Sequence, residues 1–243
     1  MFKVAITGKG GVGKTTISGT IARLLARDGY DVLAIDADPD MNLASSLGIT
    51  TPPKPLTEYR EMIEERAGQT GGMFKYNPKV DDVVEKYGAV GPDNVNMLVM
   101  GTVERGGSGC MCPASAFLRA LLRHVVLKDS SAVIMDMEAG IEHLGRGTTK
   151  GIDLMLIKKL SDEIGIRHIA AVINKSNEAD MSTVLEDIGI PVIGEIPFSS
   201  DFIEADLQGL SPIDLGGDAL ESIKNVRDNM VDMITSFDDA QMK

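Results

Sequence analysis

The feature that most constrains this chain is a glycine-rich segment close to its start, Gly8–Thr16. Residues Gly8–Thr15 match the pattern G-x-x-x-x-G-K-[ST]. The apolar run Phe2–Thr7 before it predicts a buried strand, and Thr15–Asp28 after it carries apolar residues at helical spacing. Between a strand and a helix, glycines let backbone N–H groups converge on phosphate oxygens, and the helix adds its positive end. The sequence therefore predicts a phosphate-binding loop.

The ligand expected at this loop is ATP or ADP with Mg²⁺. Lys14 is expected to reach the β- and γ-phosphates and to act in catalysis, and the Thr15 hydroxyl is expected to coordinate Mg²⁺. The residues expected to contact the nucleotide here are Gly8, Lys9, Gly10, Gly11, Val12, Gly13, Lys14, Thr15 and Thr16.

Strand and helix patterns alternate along the rest of the chain. A strand at Val32–Ile35 would complete a βαβ unit of a parallel sheet. Further strands are predicted at Val95–Met100, Ala132–Met137, Ile169–Ile173 and Val192–Glu195. Further helices are predicted at Leu56–Ala67, Ser115–Lys128 and Ala219–Phe237. We expect an α/β fold with a single doubly wound, mostly parallel sheet and helices on both faces. One domain would span residues 1–243, with an elaborated middle region at about 50–115.

Composition argues against several classes of partner. The net charge of −12, 4% aromatic residues and the lack of tryptophan predict no nucleic-acid binding. The chain carries no apolar stretch long enough to span a bilayer, and its last residues are acidic, so we expect no stable membrane association. Two cysteines and no signal-peptide pattern predict a reduced, cytoplasmic protein.

Carboxylates follow two of the predicted strands, at the edge where open α/β sheets bind ligands. Asp36 and Asp38 come after the second strand, and Asp136 comes near the end of Ala132–Met137. The pattern suits Asp36 for Mg²⁺-bound water, Asp38 for the attacking water, and Asp136 for binding Mg²⁺ through a water. A capped turn at Asp38–Asp40 is the alternative for the first pair.

Cys110-Met111-Cys112 is a second chemical element. Two thiolates cannot complete a tetrahedral shell in one chain, but two copies at a symmetric dimer axis supply four. Soft thiolates suit Zn²⁺, Ni²⁺ or Cu(I). Two incidental, partly buried cysteines are the alternative.

The segment KGGVGKTT, Lys9–Thr16, resembles the deviant Walker A motif of the ParA/MinD/NifH family of P-loop ATPases. The resemblance implies that Lys9 crosses the interface of a nucleotide-bound homodimer and acts on the partner's phosphates, as an arginine finger does. A solvated loop lysine is the alternative. The resemblance also gives Asp38 the job of positioning the hydrolytic water, and it places Asn174 and Pro197 beside the adenine base.

A narrower resemblance rests on the Cys-Met-Cys element, on DMEAGIEHLGRGT (Asp136–Thr148) and on MFKYNPKVDDVVEKYG (Met73–Gly88). Together these segments are similar to the CooC-type nickel-insertion ATPases that mature carbon monoxide dehydrogenase. This implies a homodimeric nickel metallochaperone in which Cys110 and Cys112 share Ni²⁺ or Zn²⁺ across two subunits. Its client would be carbon monoxide dehydrogenase or acetyl-CoA synthase. An Fe–S scaffold or carrier ATPase and a ParA/MinD-type positioning ATPase are the alternatives.

The connection after Leu154–Ile157 departs from that resemblance. The family has a longer loop and helix here, whereas this sequence runs into a short predicted helix, Lys158–Gly165. A βαβ crossover needs a dozen or more residues, and the resemblance implies that this connection is about fifteen residues short.

Overall fold

A computed structural model describes residues 2–67, 80, 82–101, 117, 121, 130–137, 168–176, 185 and 189–241. The seven strands of these residues are β1 (Phe2–Ile6), β2 (Asp31–Ala37), β3 (Ala89–Val90), β4 (Asn96–Val99), β5 (Ser131–Met137), β6 (Ala171–Ser176) and β7 (Val192–Pro197). The described helices are α1 (Lys14–Arg27), α2 (Leu43–Leu47), α3 (Arg60–Ala67), α4 (Val83–Tyr87), α5 (Ser200–Gln208), α6 (Pro212–Leu215) and α7 (Asp218–Gln241). The shortened connection after Ile157 lies outside the described residues.

Five strands form the central sheet in the order β1-β5-β2-β4-β3. The pairs β1–β5, β5–β2 and β2–β4 are parallel, and the short edge strand β3 runs antiparallel to β4. Strands β6 and β7 form a separate parallel pair. The predicted α/β fold with a mostly parallel sheet is therefore confirmed, although the described strands divide into these two groups.

Alternate residues of the central strands enter two hydrophobic cores, one on each face of the sheet. Along β2, Val32 and Ala34 pack on one face, and Leu33 and Ile35 pack on the other. The first core takes buried side chains from α1, α2, α6 and α7, and the second takes them from α3 and α4. A strand that is buried on both faces has a nearly continuous run of apolar residues, and this pattern made β2 and β5 recognisable as strands in the sequence.

Two element boundaries differ from the sequence prediction for physical reasons. The predicted helix Leu56–Ala67 is a 3₁₀ turn at Leu56–Glu58 followed by α3, because Tyr59 leaves helical geometry and Thr57 donates its N–H to the Met100 carbonyl. The predicted strand Ile169–Ile173 instead covers Ala171–Ser176, with an irregular register near its end. Helix and strand propensities cannot predict either difference, because each depends on contacts made in the folded chain.

Helix α1 is anchored at its far end by a cluster of charges. Arg23 is only 3% exposed, and its guanidinium donates to Asp93 at 2.7 Å and to both carboxylate oxygens of Asp214, at 2.5 and 2.9 Å. Arg27 flanks the same two carboxylates at 3.0 and 3.6 Å, but it is 44% exposed. The cluster ties the helix behind the glycine loop to the turn at Pro92–Asn94 and to α6.

We predict that Arg23→Met lowers the free energy of unfolding by about 2 kcal/mol, because it removes several charge-assisted hydrogen bonds from a buried position. The matched change Arg27→Met should lower it by less than about 0.5 kcal/mol, since exposed ion pairs contribute little. Urea denaturation without nucleotide measures both. A loss for Arg27→Met as large as that for Arg23→Met would contradict this description of the cluster.

Candidate functional site

The parallel register brings the carboxyl ends of three strands to one edge of the sheet. Ile6 at the end of β1 pairs with Asp136 of β5, and Asp136 pairs in turn with Asp36 of β2. The loop after β1 and both carboxylates are thereby placed side by side. This edge is where the sequence predicts a ligand site.

The glycine loop leads directly into α1. Gly11 and Gly13 have φ of 75° and 88°, a conformation that side chains other than glycine rarely adopt. Gly13 is also the residue before the first turn of α1, and its carbonyl accepts the Ile17 N–H at 3.1 Å. The free N–H groups of the first helical turn therefore begin at the loop, which makes this end of α1 an anion-binding position.

Two predicted catalytic side chains meet beside the loop. Lys14 is 9% exposed, and its ammonium lies 3.9 Å from a carboxylate oxygen of Asp38, whose side chain is 14% exposed. Lys9, by contrast, has an exposed side chain. The site thus pairs the lysine expected to bind phosphate with the carboxylate expected to position water.

Asp36 is fully buried and organises the segment that follows β2. One of its carboxylate oxygens accepts the Asp38 N–H at 3.2 Å, and the other accepts the Leu43 N–H at 3.0 Å. Burial raises the pKa of the Asp36 carboxyl to about 6, with a further contribution from the neighbouring charge of Asp136, while the two N–H groups oppose the shift. The contacts make Asp36 a support for the loop between β2 and α2.

Asp136 presents a buried oxygen toward the same edge. One carboxylate oxygen accepts the Ser18 hydroxyl at 3.2 Å, while Oδ2 has no hydrogen-bond partner among the described residues. Burial raises the pKa of this carboxyl, and the Thr15 and Ser18 hydroxyls oppose the shift. The Asp136 carboxyl thus interacts with the Thr15 hydroxyl and has a buried oxygen without a partner among the described residues, which fits a hard, oxygen-seeking cation such as Mg²⁺.

A cleft of about 560 Å³ opens over the loop. Its walls come from the loop itself, the segment after β2, the end of β6, and residues from Pro197 at the end of β7 to Ile203 on α5. Asn174 and Pro197, both predicted to contact adenine, line this cleft. The Asn174 amide donates to the Val12 carbonyl at 2.7 Å.

Three contributors to the site were not anticipated from the sequence. Ser46 on α2 donates its hydroxyl to the Thr15 carbonyl at 3.0 Å, and a Cβ on Gly19 would lie only 2.3 Å from the same hydroxyl. Lys175 reaches the loop from β6. Ser18 and Ser46 carry no motif, but the Asn-Lys pair at the end of a predicted strand was a signal that could have marked Lys175.

The Cys-Met-Cys element lies outside the described residues, as does the glycine-containing segment from Glu138 onward. Within the described part of the chain, no group of three or more His, Cys, Asp or Glu side chains could hold a metal ion. None of the described helices is both long and apolar enough to cross a membrane.

Comparison with known proteins identifies relatives along nearly the whole chain. The sequence profile of the CobQ/CobB/MinD/ParA nucleotide binding domain matches residues 3–213. The chain is 42% identical to an uncharacterised ATP-binding protein of Methanocaldococcus jannaschii, over 93% of this chain and 96% of that protein. It is 41% identical to the carbon monoxide dehydrogenase accessory protein CooC of Rhodospirillum rubrum, over 88% of this chain and 90% of that protein. Its fold is similar to that of the Pyrococcus furiosus cell division ATPase MinD, with a TM-score of 0.66, 18% identity, and coverage of 95% and 98% of the two chains.

We predict that Asp38→Asn tightens ATP binding by about three- to tenfold, because it removes a negative charge beside the phosphate position and frees Lys14 from its pair. The exposed neighbour Asp40, which also lines the cleft, provides the matched change Asp40→Asn, for which a smaller gain is expected. Calorimetric titration with a non-hydrolysable ATP analogue and Mg²⁺ measures both. Weaker binding by Asp38→Asn would show that the pair with Lys14 does not compete with phosphate.

Proposed function

Because the chain belongs to the CobQ/CobB/MinD/ParA nucleotide-binding family and is thus a P-loop ATPase, we propose that it is a nucleotide-dependent homodimeric nickel metallochaperone. Its clients would be carbon monoxide dehydrogenase or acetyl-CoA synthase, and it would work in the cytoplasm, where thiols stay reduced. Two protomers would close around nucleotide and hold one Ni²⁺ or Zn²⁺ ion, and hydrolysis would release it.

The observation that carries this proposal is the 41% identity to a carbon monoxide dehydrogenase accessory protein, sustained over 88% of the chain. Identity on this scale extends far beyond the phosphate loop, which every P-loop ATPase shares. The likeness to MinD, at 18% identity, supports the fold alone. It therefore does not favour a positioning role.

The residues around the cleft support the proposal that the protein binds and hydrolyses ATP. Lys14 and the loop N–H groups would bind the phosphates of ATP, and Asp38, which already lies beside Lys14, would position the attacking water. Thr15 and Asp136 would hold Mg²⁺, with Asp36 beside its bound water, and the charge of the bound ion would stabilise the charge developing on the phosphates. Asp36 would keep the Asp38 loop in place through its two backbone hydrogen bonds.

The exposure of Lys9 supports the proposal that two protomers form a nucleotide-dependent dimer. Its side chain is exposed on the loop, although the phosphate position already has the buried Lys14. An exposed second lysine that is not among the residues lining the cleft is available to the phosphates of a facing protomer. We infer that it supplies charge across the interface.

For Lys9→Ala we expect ATP binding within about threefold of the wild type but loss of ATP-dependent dimers, because only the contact made across the interface is removed. Lys14→Gln should abolish binding itself, and Lys54→Ala, at an exposed lysine 57% accessible on another surface, should change neither. Sedimentation velocity with and without ATP reads out the dimer. Normal ATP-dependent dimers in Lys9→Ala would rule out the role across the interface.

Cys110 and Cys112 would supply the metal ligands in this proposal. A two-fold axis relating two protomers would bring two copies of Cys110 and two of Cys112 together, enough for one four-coordinate ion. Such a site exists only in the dimer. Opening or closing the dimer with nucleotide would therefore change metal affinity.

Replacing both Cys110 and Cys112 by serine should remove about one metal ion per two chains while leaving ATP binding intact, since hard hydroxyls are poor ligands for Ni²⁺ and Zn²⁺. The control Met111→Leu keeps both thiols and should keep the metal. Elemental analysis of the ATP-bound dimer, with an assay for acid-labile sulfide, gives the readout. Metal retained by the double variant would contradict the shared site, and iron with sulfide in the wild type would assign an Fe–S carrier instead.

A further inference from the structure

Two side chains from the end of β6 hold the carbonyl side of the phosphate loop. The Lys175 ammonium donates to the Gly11 carbonyl at 2.7 Å, and the Asn174 amide donates to the Val12 carbonyl at 2.7 Å. In a trans peptide the carbonyl and the following N–H point in opposite directions. A donor fixed on each carbonyl therefore fixes the direction of the next N–H in the loop.

The backbone of β6 is shaped to make this contact. Lys175 has a φ of 57°, a left-handed conformation that a lysine rarely adopts, and its N–H is held by the Asn174 side-chain oxygen at 2.9 Å. The strand register is irregular between Asn174 and Ser176. The unusual conformation turns Lys175 out of the regular strand and toward the loop.

The loop leaves room for the Asn174 side chain. A Cβ placed on Gly13 would lie 2.5 Å from the Asn174 amide nitrogen, so glycine is required there by the neighbour as well as by its φ of 88°. Within the described residues the Lys175 ammonium forms no ion pair with a carboxylate, and its hydrogen bond goes to the backbone.

We propose that Lys175 is a positioning residue of the phosphate loop, which presets the loop for a triphosphate group whatever base the nucleotide carries. By holding the Gly11 carbonyl it keeps the loop open for phosphate before any ligand arrives. It also leaves a positive charge at the cleft. The inference rests on nucleotide binding at this cleft and is independent of the metal cargo proposed above.

The test compares Lys175→Met, Lys175→Arg and the control Lys224→Met, at a lysine on α7 that pairs with Glu221. Two probes are used, Mg·ATP by direct titration and inorganic tripolyphosphate, which has no base, by competition. Lys175→Met should weaken both by about tenfold and raise the KM for ATP with kcat within about twofold, because a charge-assisted hydrogen bond to the loop is lost. Lys175→Arg should recover most of the affinity, and Lys224→Met should match the wild type.

Three results would overturn the proposal. Weaker ATP binding with unchanged tripolyphosphate binding would make Lys175 a base contact. Unchanged affinity for both probes would leave it without a role in binding. A fall in the melting temperature of the ligand-free protein, shared by Lys175→Arg, would make the contact a support of the fold. Failure of the wild type itself to bind ATP would instead count against the ATPase function, so the two failures are distinguishable.

Discussion

The parallel register of β1, β5 and β2 is the constraint on which the rest of the site depends. It sets Ile6, Asp136 and Asp36 in one row at the end of three neighbouring strands. A shift of one residue in any pair would turn Asp136 or Asp36 to the opposite face of the sheet and replace it with an apolar neighbour. The hydrogen-bond donors to these two buried carboxylates come from the segment after β2 and from α1: the N–H groups of Asp38 and Leu43 and the hydroxyl of Ser18.

Helix α1 transmits this placement to the loop. Its first turn carries Lys14, Gly19 in its middle packs closely against Ser46 of α2, and Arg23 near its end is hydrogen-bonded to Asp93 and Asp214. The loop therefore lies between this anchored helix and the two side chains that contact it from β6. Such a loop needs little rearrangement to receive phosphate, which is the general requirement for tight and fast binding.

Much of this could be predicted from the sequence, because β1, the loop and α1 are local in the chain and each has a distinct pattern. Asp36 and Asp136 were recognisable for the same reason, as acids at the ends of apolar runs. Helix α2, five residues long, and the left-handed conformation of Lys175 could not be predicted from local patterns. Each is accompanied by a contact with a distant residue, Thr15 for α2 and Gly11 for Lys175. The hydrogen bond from the Asn174 amide to the Val12 carbonyl likewise required the structure.

In the proposed cycle, phosphate would take Lys14 from Asp38, two protomers would close, and a thiolate site would form between them. Metal binding would then require the nucleotide-bound dimer. The most direct test is sizing of the nickel-loaded wild type followed by metal analysis of each fraction, with a non-hydrolysable ATP analogue, with ADP and without nucleotide. We predict about one nickel ion per two chains, confined to the dimer and strongly dependent on the nucleotide. Equal nickel in monomer and dimer, or a metal content indifferent to nucleotide, would contradict the account.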